Sequence, residues 1–237
     1  MADVGACAQA IVRGGYCFVD GGTMRAWLAT CGSLDDWAAF AGSWNHLGPD
    51  EYLAARGRQR RRRYGAWSWQ EQGLVREPHQ PHYQALAYNA LQGDIERWFE
   101  PITDAVGSSA MMVAILTFAA EFFGSLASEA ARWHLEVHQF RIEAAPDAPG
   151  EPTPEGVHRD GVDHVLVLMI DRHNIASGTT TIHAPDGTRL GSFTLAKPLD
   201  AALLDDTRVH HGVTPVLPLD PAKPAHRDVL VVTLRRQ

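Results

Sequence analysis

The feature that most constrains the fold is a series of short apolar or alternating segments that occupies the chain from residue 134 onward. These segments read LEVHQFRIEA, DHVLVLMIDR, GTTTIHA, GSFTLAK, AALLDD and RDVLVVTL, and loops rich in proline, glycine and aspartate separate them. Alternation with a period of two residues indicates strands with one buried face. About eight short strands at this spacing are typical of an antiparallel sandwich or a jelly roll.

The part of the chain before residue 134 has a different pattern. Apolar residues recur there at mixed three- and four-residue spacings, as in amphipathic helices, in the segments MRAWLA, LDDWAAFAGSW, DIERWFEPITDAV and LTFAAEFFGSLASEAARW. We therefore predict an α+β fold in which a helix-rich part, residues 1–133, packs on a β-rich part, residues 134–237. The proline-rich loop 145–154 is too short to separate two independent units, so a single domain over residues 1–237 is expected.

The composition limits the functional classes. The 237 residues are 45% hydrophobic, enough for a core that encloses a dry site, and the formal charge of −7 argues against a nucleic-acid or anionic-membrane partner. The most apolar stretch, AMMVAILTFAA, is about half as long as a membrane-spanning helix requires. The N-terminus shows no secretory signal, and three cysteines without a CxxC spacing favour a reducing cytoplasm.

His158 and Asp160 stand at the head of an apolar run in the segment PEGVHRDGVDHVLVLMI. On a strand, residues two apart point to the same side, so these two side chains are expected to converge. Burying an imidazole beside a carboxylate is costly unless something binds them, and a metal ion is the candidate. The bare H-x-D motif is common by chance, and the chain has similar pairs at His226–Asp228 and His134–Glu136.

A third ligand selects among these pairs, because a non-haem ferrous centre uses two histidines and one carboxylate on one side of the metal. A predicted strand downstream of residue 160, in DDTRVHHGVTP, carries His210 and His211, which point to opposite faces, and we choose His211, which leads into GVTP. His226 has no histidine after it, and the pair at 134 and 136 lacks the glycines that let a backbone approach a metal. The alternative is that these histidines are surface or core-edge residues satisfied by hydrogen bonds.

Two further side chains are candidates for binding a cosubstrate. Arg227 begins the last predicted strand, where an arginine at the mouth of a barrel suits a bidentate contact with a carboxylate; the alternative is a solvated arginine. Arg235 shares that face but lies about 26 Å further along an extended strand, so we expect it outside the same pocket. Thr180 lies on the GTTTIHA strand near the predicted metal, where its hydroxyl is a candidate contact to the cosubstrate, although threonine's preference for strands explains it equally well.

Two other features leave alternatives open. Six arginines lie between residues 56 and 63, and they are compatible with phosphate contacts, with a solvated face or with a pocket that holds the carboxylate of a small acid. The negative net charge disfavours nucleic acid. On the strand at 135–143, His138 and Phe140 share one face while Gln139 and Arg141 share the other. Only one of these pairs lines the site, and the pattern does not indicate which.

The set His158, Asp160, His211 and Arg227 resembles the ferrous iron and 2-oxoglutarate-dependent dioxygenases, whose core is a cupin-like double-stranded β-helix, or jelly roll. More narrowly, HQFRI, PEGVHRDGVDHVLVLMI, HHGVTP and RDVLVVTL look like the bacterial free L-amino-acid hydroxylases typified by isoleucine dioxygenase. The similarity covers residues 134–237 well, and RRRRYGAW and PHYQALAYNALQGDIERWF extend it into the N-terminal part.

The resemblance implies a double-stranded β-helix flanked by N-terminal helices, with Fe(II) bound by His158, Asp160 and His211. It also implies 2-oxoglutarate as cosubstrate, its distal carboxylate held by Arg227, and O2 as oxidant. The expected reaction hydroxylates an unactivated C–H bond of a small substrate, a free L-amino acid, with release of succinate and CO2. Asp160 argues against halogenation, because related halogenases lack this carboxylate. A peptide or protein side chain is the alternative substrate, a non-catalytic regulatory barrel linked to stress, biofilm or motility is the alternative class, and a homodimer is left open.

Overall fold

The computed structural model of the chain describes residues 3–54, 60–83, 95–127 and 132–237. The helices in these parts are α1 Val4–Gly14, α2 Gly21–Cys31, α3 Trp37–Gly42, α4 Glu51–Ala54, α5 Asp104–Gly107 and α6 Ala110–Gly124, with a 3-10 helix at Ser43–His46. The strands are β1 Tyr16–Val19, β2 Gly48–Pro49, β3 Arg60–Gln70, β4 Gly73–Arg76, β5 Trp133–Ala144, β6 His164–His173, β7 Ile175–Ser177, β8 Thr180–His183, β9 Arg189–Phe193, β10 Ala201–Asp205, β11 His210–Val213, β12 Val216–Pro218 and β13 Ala225–Arg236.

Most of these strands form one antiparallel sheet in the order β1-β10-β6-β13-β5-β3-β2, with β4 beside β3. Strand β13 pairs with β5 on one side and with β6 on the other. Its run VLVVTL is rich in β-branched residues, which suit a strand with neighbours on both sides. The register places Arg227 beside Ile142 and Val231 beside His138. Because directly paired residues point to the same face, these rows share one surface of the sheet.

A smaller layer faces this surface. Strands β11, β8 and β9 form a three-stranded antiparallel sheet, and β12 pairs with β7. Ile182 of β8 packs with Val165 of β6 and Leu204 of β10 in one buried cluster, so the two layers are in contact. Two facing antiparallel layers with helices beside them confirm the predicted α+β class with a jelly-roll core.

The helices pack against the large sheet. Met112, Ile115 and Phe123 of α6 are buried in the same cluster as Leu230 of β13. The helix begins after Ser109, whose hydroxyl accepts the N–H of Met112 and so satisfies a free donor of the first turn. Packing against the sheet explains the apolar stretch AMMVAILTFAA as a buried helix. In the described parts of the chain, no helix is long and apolar enough to cross a membrane.

The N-terminal part differs from the prediction because it is not only helical. Strands β1 to β4 all belong to the large sheet, and β3 pairs along most of its length with β5. The first residues of β3 are four arginines, which weaken the apolar periodicity by which a strand is recognised. The large sheet therefore draws strands from both sides of residue 134.

Cys7 of α1 and Cys17 of β1 form a disulfide, with their Cα atoms 5.7 Å apart. The odd number of cysteines did not indicate this pair, because their spacing along the chain carries no information on how α1 packs beside β1. Cys31 is not part of the disulfide. The cytoplasmic location stays a prediction.

Candidate active site

A cavity lies between the large sheet and the smaller one, and alternate residues of β5 and β13 point into it. The five residues that the sequence singled out all line this cavity; they are His158, Asp160, Thr180, His211 and Arg227. They come from the segment before β6, from β8, from β11 and from β13, so the two layers together build the site.

The cavity also resolves the open choice on β5. His138 and Phe140 line it. Gln139 and Arg141 lie on the face of the sheet away from the cavity. Gln139 donates to the hydroxyl of Ser43 at 2.9 Å, and Arg141 forms an ion pair with Asp228. The pair on the cavity side is therefore the one at 138 and 140.

The structure brings His158, Asp160 and His211 together. Nε2 of His158 lies 3.6 Å from Oδ1 of Asp160, and Nε2 of His211 lies 3.6 Å from Oδ2 of the same carboxylate. The two imidazole centroids are 4.7 Å apart. His210 is not in this group; it pairs with His183 on the neighbouring strand. The choice of residue 211 over residue 210 agrees with this geometry.

The backbone around this group is a turn and not the strand that the sequence predicted. The residues at 158 and 160 precede β6, and only a pair of backbone hydrogen bonds, of 2.9 and 2.8 Å, joins His158 to His211. Gly156 and Gly161 have φ angles of 83° and 80°, a region that glycine occupies without strain. The expected strand is wrong here, because these turns interrupt it. The two side chains nevertheless point the same way.

Asp206 holds this turn, and sequence reasoning missed it. Its carboxylate accepts the backbone N–H groups of Asp160, Gly161 and Val162 at 3.0, 2.8 and 3.1 Å. The side chain is fully buried, and burial together with the charge of Asp160 raises the pKa of Asp206. The contact spans two distant segments, so neither segment alone contains a signal for it.

The charges in the group are balanced around the carboxylate of Asp160. Burial raises the pKa of Asp160, but the neighbouring imidazoles of His158 and His211 outweigh burial and lower it. Burial lowers the pKa of His158, but the neighbouring carboxylate of Asp160 outweighs burial and raises it to about 9. Burial and the neighbouring His158 lower the pKa of His211 to about 4. A metal cation among the three side chains would take the place of the His158 proton as counter-ion.

The donor set fits a divalent transition metal. One nitrogen or oxygen from each of the three residues lies within 4.8 Å of the others. Nδ1 of His158 lies 3.0 Å from the carbonyl of Gly156, which accepts its hydrogen and leaves a lone pair on Nε2. Nδ1 of His211 has no hydrogen-bond partner among the described residues. Two imidazoles and one carboxylate on one side of a metal leave its other coordination positions open.

Arg227 is a buried cation placed for an anionic ligand. Only 2% of it is exposed, and its Nε and Nη2 have no hydrogen-bond partner within the described residues. Its neighbour Asp228 is already held by Arg141 through two contacts of 2.8 and 2.7 Å. Burial and the nearby Arg172 lower the pKa of Arg227 to about 10, so it stays charged at neutral pH. A buried charge without a counter-ion is costly, and an anion in the cavity would remove that cost.

Thr180 and Arg235 also reach this cavity. Thr180 is buried and pairs with Val213 on β11, two residues after the candidate ligand at 211. Arg235 lines the same cavity as Arg227, so the expectation that it lies outside the pocket is wrong. The estimate from strand length failed because the cavity extends along β13 instead of closing at one end of it.

A second polar cluster, formed by β5 and the segment at His82, was missed by sequence reasoning. His82, Glu136 and His138 each have a nitrogen or oxygen within 4.8 Å of the others. Tyr64 donates its hydroxyl to Glu136 at 2.6 Å. Glu136-Val137-His138 has the same two-residue spacing as the H-x-D pair, in reverse order, and that spacing was the available signal.

The arginine run divides between the two faces of β3. Arg60 and Arg62 line the cavity and contact the buried Asp50, whereas Arg61 pairs with Glu143. The first two arginines of the run lie outside the described residues. Because side chains alternate along the strand, the described arginines do not form one continuous basic surface.

The third group of potential ligands is Asp171, His226 and Asp228. It contains the second H-x-D pair of the sequence. Arg227, which lies between His226 and Asp228 on β13, points into the cavity. Its two neighbours therefore point to the opposite face of the sheet, away from the cavity. Asp228 is held by Arg141, which satisfies its charge.

Comparison with known sequences matches the chain to a family model and to a named enzyme. A family model described as 2OG-Fe dioxygenase matches residues 41–233. The chain is also 26% identical over 242 residues to the 3(1)-hydroxy-L-isoleucine 4-dioxygenase of Pantoea ananatis, and the match covers 97% of this chain and 95% of that protein.

Solved structures with the same fold extend over nearly the whole chain. A bsmA homologue from Methylobium petroleophilum superimposes with a TM-score of 0.86 at 38% identity, over 98% of this chain and 92% of that one. IDO from Bacillus thuringiensis gives a TM-score of 0.80 at 18% identity, over 99% of this chain and 100% of that one. The dioxygenase TqaL gives a TM-score of 0.79 at 23% identity, over 99% of this chain and 87% of that one. The last two show the fold alone.

Proposed function

Because the chain belongs to the 2OG-Fe dioxygenase family, we propose that His158, Asp160 and His211 hold its ferrous iron in the cavity between the two sheets. The family uses Fe(II), 2-oxoglutarate and O2, so this protein is a non-haem iron oxidoreductase. The observation that carries the site assignment is the convergence of two imidazole nitrogens on the two oxygens of one carboxylate. When bound, iron and 2-oxoglutarate would supply the oxidation by O2: 2-oxoglutarate would lose CO2 and take up one oxygen atom as succinate, and the other oxygen atom would go to the substrate.

The cosubstrate contacts are assigned to Arg227 and Thr180. Arg227 has two unpartnered N–H donors among the described residues, which suit the distal carboxylate of 2-oxoglutarate. Thr180 places a hydroxyl on the facing layer of the same cavity. Together they orient the dicarboxylate between the sheets.

The protein also controls what surrounds the reacting atoms. Apolar side chains from β6, β10 and β13 line much of the cavity, among them Val167, Leu204, Val229 and Val231. Such a lining excludes water and prevents side reactions of the oxidant. The turn held by Asp206 keeps the carboxylate at 160 in place as the substrate binds and leaves.

A small-molecule substrate is consistent with the family, and we propose that it is a free L-amino acid that is hydroxylated at an unactivated C–H bond. The relative from Pantoea ananatis, which matches 97% of this chain, acts on an isoleucine derivative according to its name. A match over 97% of the chain includes the segments that build both layers of the site.

An anaerobic titration tests this function. The apoprotein receives Fe(II) and then 2-oxoglutarate, and the visible charge-transfer band of the iron–cosubstrate complex is recorded. We expect the band to form and to shift when an accepted amino acid is added, and succinate to appear once O2 is admitted. Iron binding without the band would contradict the proposed cosubstrate site, and a band that no amino acid shifts would contradict the proposed substrate.

A further inference from the structure

One wall of the cavity, formed by β3, β5 and the segment at His82, carries charged and polar groups that the proposed iron and cosubstrate sites do not use. We define the polar wall as Arg62, His82, Glu136 and His138, all of which line the cavity. All four side chains are buried or nearly so, and buried charge is retained only where it has partners.

Glu136 is the anion of the polar wall. Burial raises its pKa, but hydrogen bonds from His82 and from Tyr64 outweigh burial and lower it, so the carboxylate is ionised. Both donors bond to Oε1, at 3.3 and 2.6 Å. Among the described residues, the hydrogen bonds to this carboxylate all reach Oε1, and we infer that Oε2 receives a cationic donor in the cavity. An ammonium group is such a donor.

Arg62 and His138 are the anion-binding part of the wall. Nη2 of Arg62 lies 2.7 Å from Nδ1 of His138. Because an arginine can only donate, Nδ1 accepts, and the neutral ring therefore carries its hydrogen on Nε2. Burial, followed by the charge of Arg62, lowers the pKa of His138 well below its usual value, which keeps the ring neutral.

The guanidinium of Arg62 is held rigidly but is not fully paired. Its Cζ lies 3.4 Å from the ring centroid of Phe99 and 4.7 Å from that of Phe140. Its contact with Asp50 is 3.5 Å long, while Arg60 holds the same oxygen with two shorter bonds, of 3.0 and 2.8 Å. Nε of Arg62 has no hydrogen-bond partner in the described parts of the chain.

The geometry points to a binding site for the α-ammonium and α-carboxylate groups of one molecule: we propose that Glu136 takes the ammonium, and that Arg62 and His138 take the carboxylate. A carboxylate oxygen of Glu136 and a ring nitrogen of His138 lie within 4.8 Å of each other, so the two subsites suit groups on the same carbon. A dianion would leave Glu136 facing like charge, and an internal peptide residue has neither group free. This inference rests on the proposed function, since it specifies how that site recognises its substrate.

The rest of the cavity suits an aliphatic side chain. With its ammonium and carboxylate on the polar wall, the amino acid directs its side chain into the remaining space, towards His158, Asp160 and His211. The apolar residues available to it are Val162, Val167, Leu204, Val213, Val229 and Val231. Burying a branched aliphatic side chain among them is favourable because it removes apolar surface from water.

The test is a binding experiment under anaerobic conditions. The protein is loaded with Fe(II) and 2-oxoglutarate, and L-valine, L-leucine and L-isoleucine are titrated while the charge-transfer band is followed. The N-acetyl derivative and the methyl ester of each amino acid, which lack the ammonium and the carboxylate respectively, are titrated in parallel. We expect the free amino acids to shift the band and the blocked ones to bind at least tenfold more weakly. This comparison needs no variant.

Two variants and two matched controls locate the groups. Glu136→Gln and Arg62→Gln are expected to weaken amino-acid binding by about ten- to one-hundred-fold, the range for a lost charge-assisted hydrogen bond, without preventing band formation by 2-oxoglutarate. Glu143→Gln and Arg61→Gln change an exposed ion pair on the same two strands, which the cavity lining does not include, and should bind as the wild type does.

The outcomes separate this inference from the proposed function. If the wild type forms no band with Fe(II) and 2-oxoglutarate, the proposed function fails and the inference falls with it. If the band forms but the blocked amino acids bind as well as the free ones, the inference alone is overturned. The same holds if the Glu136→Gln variant binds the free amino acids with unchanged affinity. A band that none of the three amino acids shifts overturns it as well.

Discussion

The buried carboxylate of Asp206 accepts the backbone N–H of Asp160 at a distance of 3.0 Å. Two more bonds from the following residues complete a cap over the turn that carries one candidate metal ligand. The side chain touches none of the reacting atoms. It acts through the residue at 160, whose carboxylate it holds in the direction of the two imidazoles.

Co(II) can be titrated as a substitute for Fe(II). Replacing Asp206 with Asn is expected to lower the affinity for Co(II) by about ten- to one-hundred-fold, as is typical of residues that orient metal ligands. An amide nitrogen cannot accept the N–H bonds that one carboxylate oxygen now accepts. Isothermal titration of the apoprotein measures the change. Asp205→Asn, whose carboxylate accepts from Thr207, is the control. Equal affinities in the two variants would show that Asp206 does not position the ligand.

The adjacent histidines of β11 give a sharper test of the site itself. His211→Ala is expected to abolish tight Co(II) binding and succinate formation, because it removes one of three converging ligand atoms. His158→Ala and Asp160→Ala should have the same effect without unfolding the protein, as checked by circular dichroism. His210→Ala should retain both properties. Full activity in any of the three ligand variants would contradict the assignment.

Arg227→Gln should act on the cosubstrate and not on the metal. The apparent KM for 2-oxoglutarate is expected to rise by about ten- to one-hundred-fold, the cost of a charge-assisted hydrogen bond to a carboxylate. Co(II) affinity should be unchanged. Arg236→Gln, on the exposed end of the same strand, is the matched control. A KM equal to that of the wild type would place the carboxylate contact elsewhere.

The packing of the helices on the large sheet predicts a stability effect at Leu230. This residue is fully buried in the cluster that joins β13 to α6. Leu230→Ala is expected to lower the free energy of unfolding by about 2–5 kcal/mol, because it leaves a cavity that the neighbours fill only partly. Urea denaturation measures the loss. The exposed Leu217→Ala should change stability by no more than about 0.5 kcal/mol, and a similar loss in both would contradict the packing.

His164 predicts a pH dependence of stability. Burial lowers the pKa of His164 in the folded state, and its ring stacks on Phe123 with centroids 4.5 Å apart. The unfolded chain therefore binds more protons just below pH 6.5, the ordinary value, and stability falls as the pH drops from there towards the folded pKa. We expect His164→Phe to reduce this slope by up to about 1.4 kcal/mol per pH unit, measured by urea denaturation between pH 7 and pH 5. An unchanged slope would mean that this ring does not contribute.

Periodicity predicted the β-rich part well, since the segments that became β5, β6, β10 and β13 all alternate or form short apolar runs. Strand β3 was harder to recognise because its first four residues are arginines. Which of these arginines point into the cavity depends on how β3 pairs with β5. The disulfide between Cys7 and Cys17 was missed for a related reason. Its formation depends on how two neighbouring elements pack, which spacing does not encode.

The amino-acid pattern alone is informative over short range: it indicates which segments extend, and which residues two apart share a side. That was enough to nominate His158, Asp160 and His211, and to separate residue 211 from residue 210. Only strand pairing and layer packing bring His158, Asp160 and His211 to one cavity, and the same packing adds Glu136 to its lining. Side-chain direction follows from backbone geometry within a few residues, whereas the meeting of distant side chains depends on how strands pair and layers pack across the whole chain.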